Sequence, residues 1–250
     1  MTTTEVQKRD SLAGGDLRTD LVAANRILVR QGVLDAFGHV SARSAPGAST
    51  FLLSRNLAPG SVTHHDLMVH DLDGAVLDDD RPAYLERFIH AEIYRRRPDV
   101  MSVVHSHSPA VVPFSVVEAP FRPVIHMAGF LNPERTPVFE ISDFAGNSSD
   151  LLITNCQLGS QLAGVLGEGS VALMRGHGSI AVGSSLPEAV YRAVYTEVNA
   201  RTQFEASALG TPRFLSDGEA KSADQSVGGQ ALRAWGVWRA QVTEEVGNED

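Results

Sequence analysis

The spacing of apolar residues and the positions of capping residues predict four helices. They cover residues 17–32, 85–97, 155–167 and 185–209. In the first helix, apolar side chains recur at intervals of three and four, and Gly32 stands where a helix would stop. Pro98 follows the second helix, and Asn155 can cap the third. Ser185 precedes Glu188 at the spacing of a capping box, which favours a helix start there.

Short apolar runs between these helices predict strands. They lie at residues 51–53, 67–69, 100–107, 138–141, 171–174 and 180–182. An Asp-Gly pair at 73–74 predicts a hairpin turn, and the Gly-Asn-Ser-Ser stretch at 146–149 predicts a loop. The mixture of helices and strands, with no internal repeat, predicts a single α/β domain over residues 17–215. A flexible N-terminus is expected over residues 1–16, and a C-terminal extension with an acidic tail over residues 216–250.

Composition and charge narrow the class of protein. Asp and Glu number 30 against 21 Lys and Arg, and the resulting net charge of −9 makes nucleic acid and an anionic membrane surface poor partners. The single cysteine, Cys156, cannot form an internal disulfide. The N-terminus is polar, and the uncharged stretch at 101–117 contains two histidines and two prolines, which a membrane-spanning helix would not carry. We therefore expect a cytoplasmic protein with no nucleic-acid or membrane partner.

Histidines supply the candidate chemistry. His105 and His107 end a predicted strand, where side chains two residues apart share a face and can chelate one metal ion. His177 lies between two glycines, which let the backbone approach another group closely, and Glu86 lies near the start of the second helix. Each residue alone also fits a structural role, as a buried histidine, a loop residue or a negative charge in a first helical turn. Together, three imidazoles and one carboxylate would suit zinc, and also manganese or iron.

These residues coincide with the motifs of one family. The segments Y-L-E-R-F-I-H at 84–90, R-P-D at 97–99, H-S-H at 105–107 and M-R-G-H-G at 174–178 resemble the class II aldolase/adducin family over roughly residues 17–209. The resemblance implies a three-layer α/β/α domain with a largely antiparallel central sheet, and a homotetramer with active sites between subunits. It also implies one divalent metal ion per subunit, bound by Glu86, His105, His107 and His177. Zinc or manganese is expected, with iron or cobalt as alternatives, and Glu86 inherits a second, catalytic role in proton transfer.

Departures from the sugar-phosphate aldolases of the family affect the substrate site. Those enzymes cradle phosphate with small residues and backbone N–H groups, whereas the corresponding stretches here read G-H-V-S-A-R at 38–43 and L-S-R-N at 53–56. A phosphate cradle is therefore not expected. His126 is followed by Met127 where those aldolases have a His and a catalytic Tyr. His126 is thus a second catalytic candidate, with a core or interface role as the alternative.

The same stretches resemble the decarboxylase branch of the family, whose members act on aromatic acids with a hydroxyl ortho to the leaving carboxylate. This resemblance implies an aromatic carboxylate as the substrate. The candidate substrate-binding residues are His39, Ser41, Ser54 and Arg55. A guanidinium can hold a carboxylate with two parallel hydrogen bonds, which suits Arg55, although a solvated surface position is the alternative.

The predicted function is a metal-dependent carboxy-lyase that releases CO₂ from such an acid, for example a dihydroxyphthalate or a hydroxypyridine dicarboxylate. Three alternatives stay open: a class II aldolase that cleaves a sugar phosphate or another hydroxy-ketone, an adducin-like interaction protein without catalysis, and a metal-dependent oxygenase. No function is assigned to the other four histidines, His64, His65, His70 and His90.

Overall fold

The computed structural model describes residues 16–246. Almost all of the N-terminal segment 1–16 and the last four residues of the acidic tail lie outside this range. Within it, one sheet contains seven strands: β1 His39–Arg43, β2 Thr50–Ser54, β3 Leu67–Asp71, β4 Ser102–Ser106, β5 Val138–Phe139, β6 Val171–Met174 and β7 Gly178–Gly183. The α-helices of these residues are α1 Leu17–Arg30, α2 Arg87–Arg96, α3 Ser142–Ala145, α4 Cys156–Leu166, α5 Leu186–Leu209, α6 Asp217–Val227 and α7 Ala231–Val246.

The sheet brings histidines from separate segments to one end. Its strand order is β3-β2-β1-β4-β7-β6-β5, and every neighbouring pair is antiparallel except β5 with β6. His39 of β1 lies opposite His105 of β4, and the other edge of β4 pairs with β7, which follows the turn that carries His177. The α/β fold with a largely antiparallel sheet, expected from the sequence, is confirmed.

Alternation along the strands separates two hydrophobic cores. Val40 of β1 and Val104 of β4 contribute to the core formed with α1 and α5. Val103 belongs to the second core, formed with the apolar faces of α2 and α4. His39 and His105 share the face of Val103, because side chains two residues apart on a strand point the same way. The three layers are therefore helices, sheet and helices, and the histidines lie on the face covered by α2 and α4.

Two elements near the histidines differ from the sequence prediction. Helix α2 begins two residues later than expected, because Leu85 is 59% exposed and lines a cleft instead of joining the apolar stripe. Glu86 consequently occupies the N-cap position with a non-helical backbone, and its side chain can turn toward the sheet. Strand β4 ends at Ser106, so His107 lies one residue beyond it.

The C-terminal helices add to the core formed with α1 and α5. Trp235 and Val242 of α7 are buried in the same cluster as Leu21 of α1 and Val194 of α5. The domain boundary at residue 215 stays a prediction. None of the helices within residues 16–246 is both long and apolar enough to cross a membrane.

Helices α2 and α4 approach closely at Gly159. A Cβ at this position would lie 2.5 Å from the carbonyl oxygen of Phe88 and 3.0 Å from Cγ of Glu92. We expect Gly159→Ala to destabilise the fold by about 1–3 kcal/mol, because the added methyl group overpacks the contact. The matched control is Gly164→Ala on the same helix, where a Cβ meets no atom within 4 Å and the expected change is neutral or stabilising by up to ~1 kcal/mol. Denaturant unfolding measures both, and equal stabilities of the two variants would contradict the packing argument.

Candidate metal centre

The four side chains proposed as metal ligands meet at one end of the sheet. One carboxylate oxygen of Glu86 and one ring nitrogen each of His105, His107 and His177 all lie within 4.8 Å of one another. Nε2 of His107 is 2.9 Å from Nε2 of His105 and 3.0 Å from Nε2 of His177. Oε2 of Glu86 is 3.4 Å from Nε2 of both His105 and His177. His105 and Glu86 are buried, and the other two are half-buried.

Glycines in the turn between β6 and β7 bring His177 to the other ligands. Gly176 has a φ of +62°, a conformation that favours glycine. A Cβ at Gly178 would collide with the carbonyl oxygen of Ser106, so only glycine lets the turn approach β4 this closely. The two glycines therefore place His177 for different reasons, one conformational and one steric.

Backbone groups hold the outer atoms of three ligands. Nδ1 of His105 lies 3.2 Å from a carbonyl oxygen of β7, and Nδ1 of His177 lies 2.9 Å from the carbonyl oxygen of Leu151. A carbonyl oxygen can only accept, so both Nδ1 atoms donate, and in the neutral rings both Nε2 atoms keep a lone pair for the cluster. Oε1 of Glu86 accepts a hydrogen bond of 3.0 Å from the backbone N–H of Ile153, which leaves Oε2 toward the histidines.

One short segment, residues 151–153, thus supports two ligands. Leu151 has a φ of +68°, and it is the only non-glycine residue with a positive φ in the part of the chain that the structure describes. Such a conformation costs roughly 1–3 kcal/mol and persists where surrounding contacts require it. Here the contacts are the hydrogen bonds from this segment to His177 and Glu86.

Burial and neighbouring charges set the pKa values of the cluster. Burial raises the pKa of the Glu86 carboxyl, but hydrogen bonds and charge from His105 and His177 outweigh burial and hold this pKa well below its usual range. Burial and the adjacent imidazoles lower the pKa of His107 to about 4. Burial also lowers the pKa of His177, but its contact with Glu86 outweighs burial and raises this pKa. An ionised carboxylate beside a neutral His107 is the protonation state that binds a cation.

The donor set fits a divalent metal ion. A tetrahedral zinc site with bonds of ~2.1 Å places its donor atoms ~3.4 Å apart. The observed separations, 2.9 and 3.0 Å between imidazole nitrogens and 3.4 Å from Glu86 to two of them, lie close to that spacing. The Nε2 lone pairs of His105 and His177 and the Glu86 carboxylate converge at these distances, where either a cation or a proton on Nε2 of His107 relieves their repulsion. The backbone hydrogen bonds to the outer ligand atoms are of the kind that orients metal ligands.

The sequence matches the model of one protein family, the Class II Aldolase and Adducin N-terminal domain, over residues 19–204. The chain belongs to the class II aldolase and adducin family. Among its relatives, the decarboxylase tropJ from Talaromyces stipitatus is 38% identical over 247 residues, covering 88% of this chain and 92% of the relative. A 3,4-dihydroxyphthalate decarboxylase from Arthrobacter keyseri is 28% identical, covering 77% of this chain and 79% of the relative. The solved L-fuculose 1-phosphate aldolase from Glaciozyma antarctica superposes with a TM-score of 0.75 at 22% identity over 92% of this chain and 91% of that chain, which shows the shared fold.

The ligand cluster of this class II aldolase family member opens onto a cleft of about 330 Å³. Glu86 and His107 line the cleft, together with His39. Most of the other large side chains that line the cleft are apolar. These large side chains are Phe37, Leu57, Tyr84, Leu85 and Leu152. None of the lining residues within 16–246 is Arg or Lys.

His39 is the one predicted substrate-binding residue that the structure places in the cleft. Its ring centroid lies 4.5 Å from that of Tyr84 and 5.0 Å from that of His105. Its role in substrate binding stays a prediction, and its position suits that role.

The other predicted substrate residues do not line the cleft. Ser41 and Ser54 are fully buried, and the hydroxyl of Ser54 lies 3.5 Å from that of Tyr84. Arg55 donates from Nε to Oδ1 of Asp66 at 2.6 Å, so the guanidinium expected to bind a carboxylate already pairs with one.

His126, the second catalytic candidate, is exposed in a 3₁₀ turn, His126–Ala128, and does not line the cleft of this chain. A catalytic role for His126 therefore requires a neighbouring subunit, as the predicted homotetramer would supply.

Two residues with no function predicted from the sequence are connected to the cleft through His39. His90 and Tyr94 are fully buried in α2 and form hydrogen bonds that lead from His39 into the core. Glu86 at the N-cap and His90 and Tyr94 of α2 follow one another at intervals of four residues, which is the spacing of one helix face. That polar spacing, beside an apolar stripe, is the signal that could have identified them.

Proposed function

We propose that this protein is a metal-dependent decarboxylase that releases CO₂ from an aromatic acid with a hydroxyl ortho to the leaving carboxylate. The observation that carries the proposal is the cluster of three imidazoles and Glu86 at the side of a largely apolar cleft. The relatives from Talaromyces and Arthrobacter, both named as decarboxylases, support the reaction class.

The lining of the cleft suits a flat aromatic substrate. Phe37, Leu57 and Tyr84 provide apolar surface for a ring. A hydroxyl and a carboxylate on adjacent ring carbons place two oxygen donors on one edge, and this edge would face Glu86 and His107. His39 lines the cleft at a position where the sugar-phosphate aldolases have a small residue of their phosphate cradle, which disfavours a sugar phosphate.

The reaction breaks the bond between the ring and the carboxylate, leaves the electron pair on the ring carbon and adds a proton there. A divalent ion, proposed as zinc or manganese and held by Glu86, His105, His107 and His177, would supply Lewis acidity for that electron pair. Glu86 lines the cleft as well as the cluster, so it can exchange a proton with the ring in addition to acting as a ligand. Help of this general acid and base type typically contributes ~10²–10⁴-fold.

Parallel assays with ortho-hydroxy aromatic acids and with ketose 1-phosphates test the reaction class. We expect CO₂ from the aromatic acids and no cleavage of fuculose or ribulose 1-phosphate. Release of dihydroxyacetone phosphate from the sugar phosphates, with no CO₂ from the acids, would instead establish the aldolase.

A further inference from the structure

A buried line of polar side chains runs from the cleft into the core beneath α2. Nδ1 of His39 lies 2.7 Å from Nε2 of His90, and Nδ1 of His90 lies 2.6 Å from Oγ of Ser41. Oγ of Ser41 in turn lies 2.7 Å from the hydroxyl of Tyr94. None of these four residues is more than 3% exposed, so each polar atom depends on its protein partners.

The direction of the hydrogen bonds along this line follows from its inner end. Among the described residues, Oγ of Ser41 is the only acceptor within hydrogen-bond distance of the Tyr94 hydroxyl. Oγ of Ser41 contacts only Tyr94 and His90, whereas its backbone carbonyl accepts from Ser102. If Tyr94 donates to Ser41, Ser41 donates to Nδ1 of His90, and every proton has an acceptor. In the opposite direction, His90 donates to Ser41 and Ser41 donates to Tyr94, so the Tyr94 proton has no acceptor. If Ser41 instead accepts from both neighbours, the Ser41 proton has no acceptor. A buried donor without an acceptor is strongly disfavoured.

The same direction fixes both imidazoles. Every imidazole ring carries a proton on at least one of its two nitrogens. His90 accepts at Nδ1 and must therefore donate from Nε2 to Nδ1 of His39. The single proton of His39 is then on Nε2. Because Nδ1 is taken by His90, Nε2 is the nitrogen that remains for the cleft.

We propose that Tyr94, Ser41 and His90 are positioning residues that hold His39 in the tautomer protonated at Nε2, so that His39 presents a fixed hydrogen-bond donor to the substrate. A carboxylate oxygen has lone pairs and no proton, so it is the group this donor selects. The identity of the acceptor as the carboxylate of an ortho-hydroxy aromatic acid rests on the proposed function. The tautomer of His39 follows from the hydrogen bonds alone and is independent of that function.

NMR of the zinc-loaded protein with ¹⁵N-labelled histidines tests the tautomer directly. We expect His39 to be protonated at Nε2 and unprotonated at Nδ1 in the wild type. Ser41→Ala and Tyr94→Phe should each populate the other tautomer, because they remove the groups that set the direction. The matched controls are Thr196→Val, which removes a buried hydroxyl on α5, and Tyr191→Phe, which removes another. Both hydroxyls donate to a backbone carbonyl away from the line of polar side chains. Protonation of wild-type His39 at Nδ1, or a tautomer unchanged in both test variants, would overturn the proposal.

Titration with two probes tests the contact with the substrate. Salicylate has a carboxylate beside a hydroxyl, whereas catechol has two hydroxyls. We expect salicylate to shift the Nε2–H signal of His39, and Ser41→Ala to weaken salicylate binding by about tenfold while catechol binding changes by less than about twofold. Salicylate that binds without moving this signal would overturn the contact. A wrong reaction class would leave the tautomer in place and appear only as absent CO₂ release, so the two failures are distinguishable.

Discussion

Replacing His107 with alanine is expected to weaken divalent metal binding by more than ~100-fold and to abolish CO₂ release in parallel. Loss of groups that merely orient a metal ligand costs 10–100-fold in affinity, so loss of a ligand should cost more. Nε2 of His107 lies within 3.0 Å of both other imidazole nitrogens, at the centre of the donor set. The residue is half-buried and lies beyond β4, so its removal should leave the fold intact.

Metal content by elemental analysis, a metal titration and the rate of CO₂ release measure this effect. His65→Ala is the matched control, because His65 is exposed and lies outside both the cluster and the cleft. We expect the control to retain full metal content and turnover. A His107→Ala protein that binds metal as tightly as the wild type would remove this residue from the ligand set.

Replacing Glu86 with glutamine is expected to lower turnover by ~10²–10⁴-fold, the range of a lost general acid or base. The substitution keeps the size of the side chain, and the amide oxygen can still accept the hydrogen bond from Ile153. It removes the negative charge that lies 3.4 Å from Nε2 of both His105 and His177, so metal affinity should fall as well.

Metal saturation separates the two roles of Glu86. Turnover that recovers at high metal concentration identifies Glu86 as a ligand, whereas turnover that stays low with metal fully bound identifies a proton-transfer role. Glu92→Gln is the matched control, because Glu92 is buried in α2, the helix that follows Glu86, and pairs with Arg95 away from the cluster. Wild-type turnover in Glu86→Gln would contradict both roles.

Local pattern predicted most of the helices and strands, and the ligand cluster was predicted from histidine spacing together with the family resemblance. Apolar periodicity located α1, and capping residues located α4 and α5. Asn155 caps α4 as expected by accepting from the N–H of Leu158. The H-x-H spacing correctly placed the two imidazoles close together, because their side chains lie on one face of the sheet even though His107 follows the last residue of β4. The glycines on both sides of His177 indicated a close backbone contact, because few residues other than glycine allow two backbone segments to approach so closely.

Long-range pairing explains what the sequence could not predict. Arg55 was expected to face a carboxylate substrate, but it pairs with Asp66, which the antiparallel pairing of β2 with β3 places opposite it. Ser41 was expected in the substrate site, yet its hydroxyl lies between His90 and Tyr94 of a helix that begins almost fifty residues later. Apolar periodicity extended this helix to residue 85, because an exposed leucine at the rim of a cleft looks the same in sequence as a core leucine.

We propose that the histidine cluster holds a divalent metal ion required for decarboxylation of an ortho-hydroxy aromatic acid. The most direct measurement is CO₂ release from a panel of hydroxybenzoates and dihydroxyphthalates, with metal content determined on the same samples. We predict release that stops when a chelator strips the protein and returns when about one equivalent of zinc or manganese per subunit is restored. Undiminished CO₂ release by metal-free protein, or no release from any acid by fully loaded protein, would contradict the account.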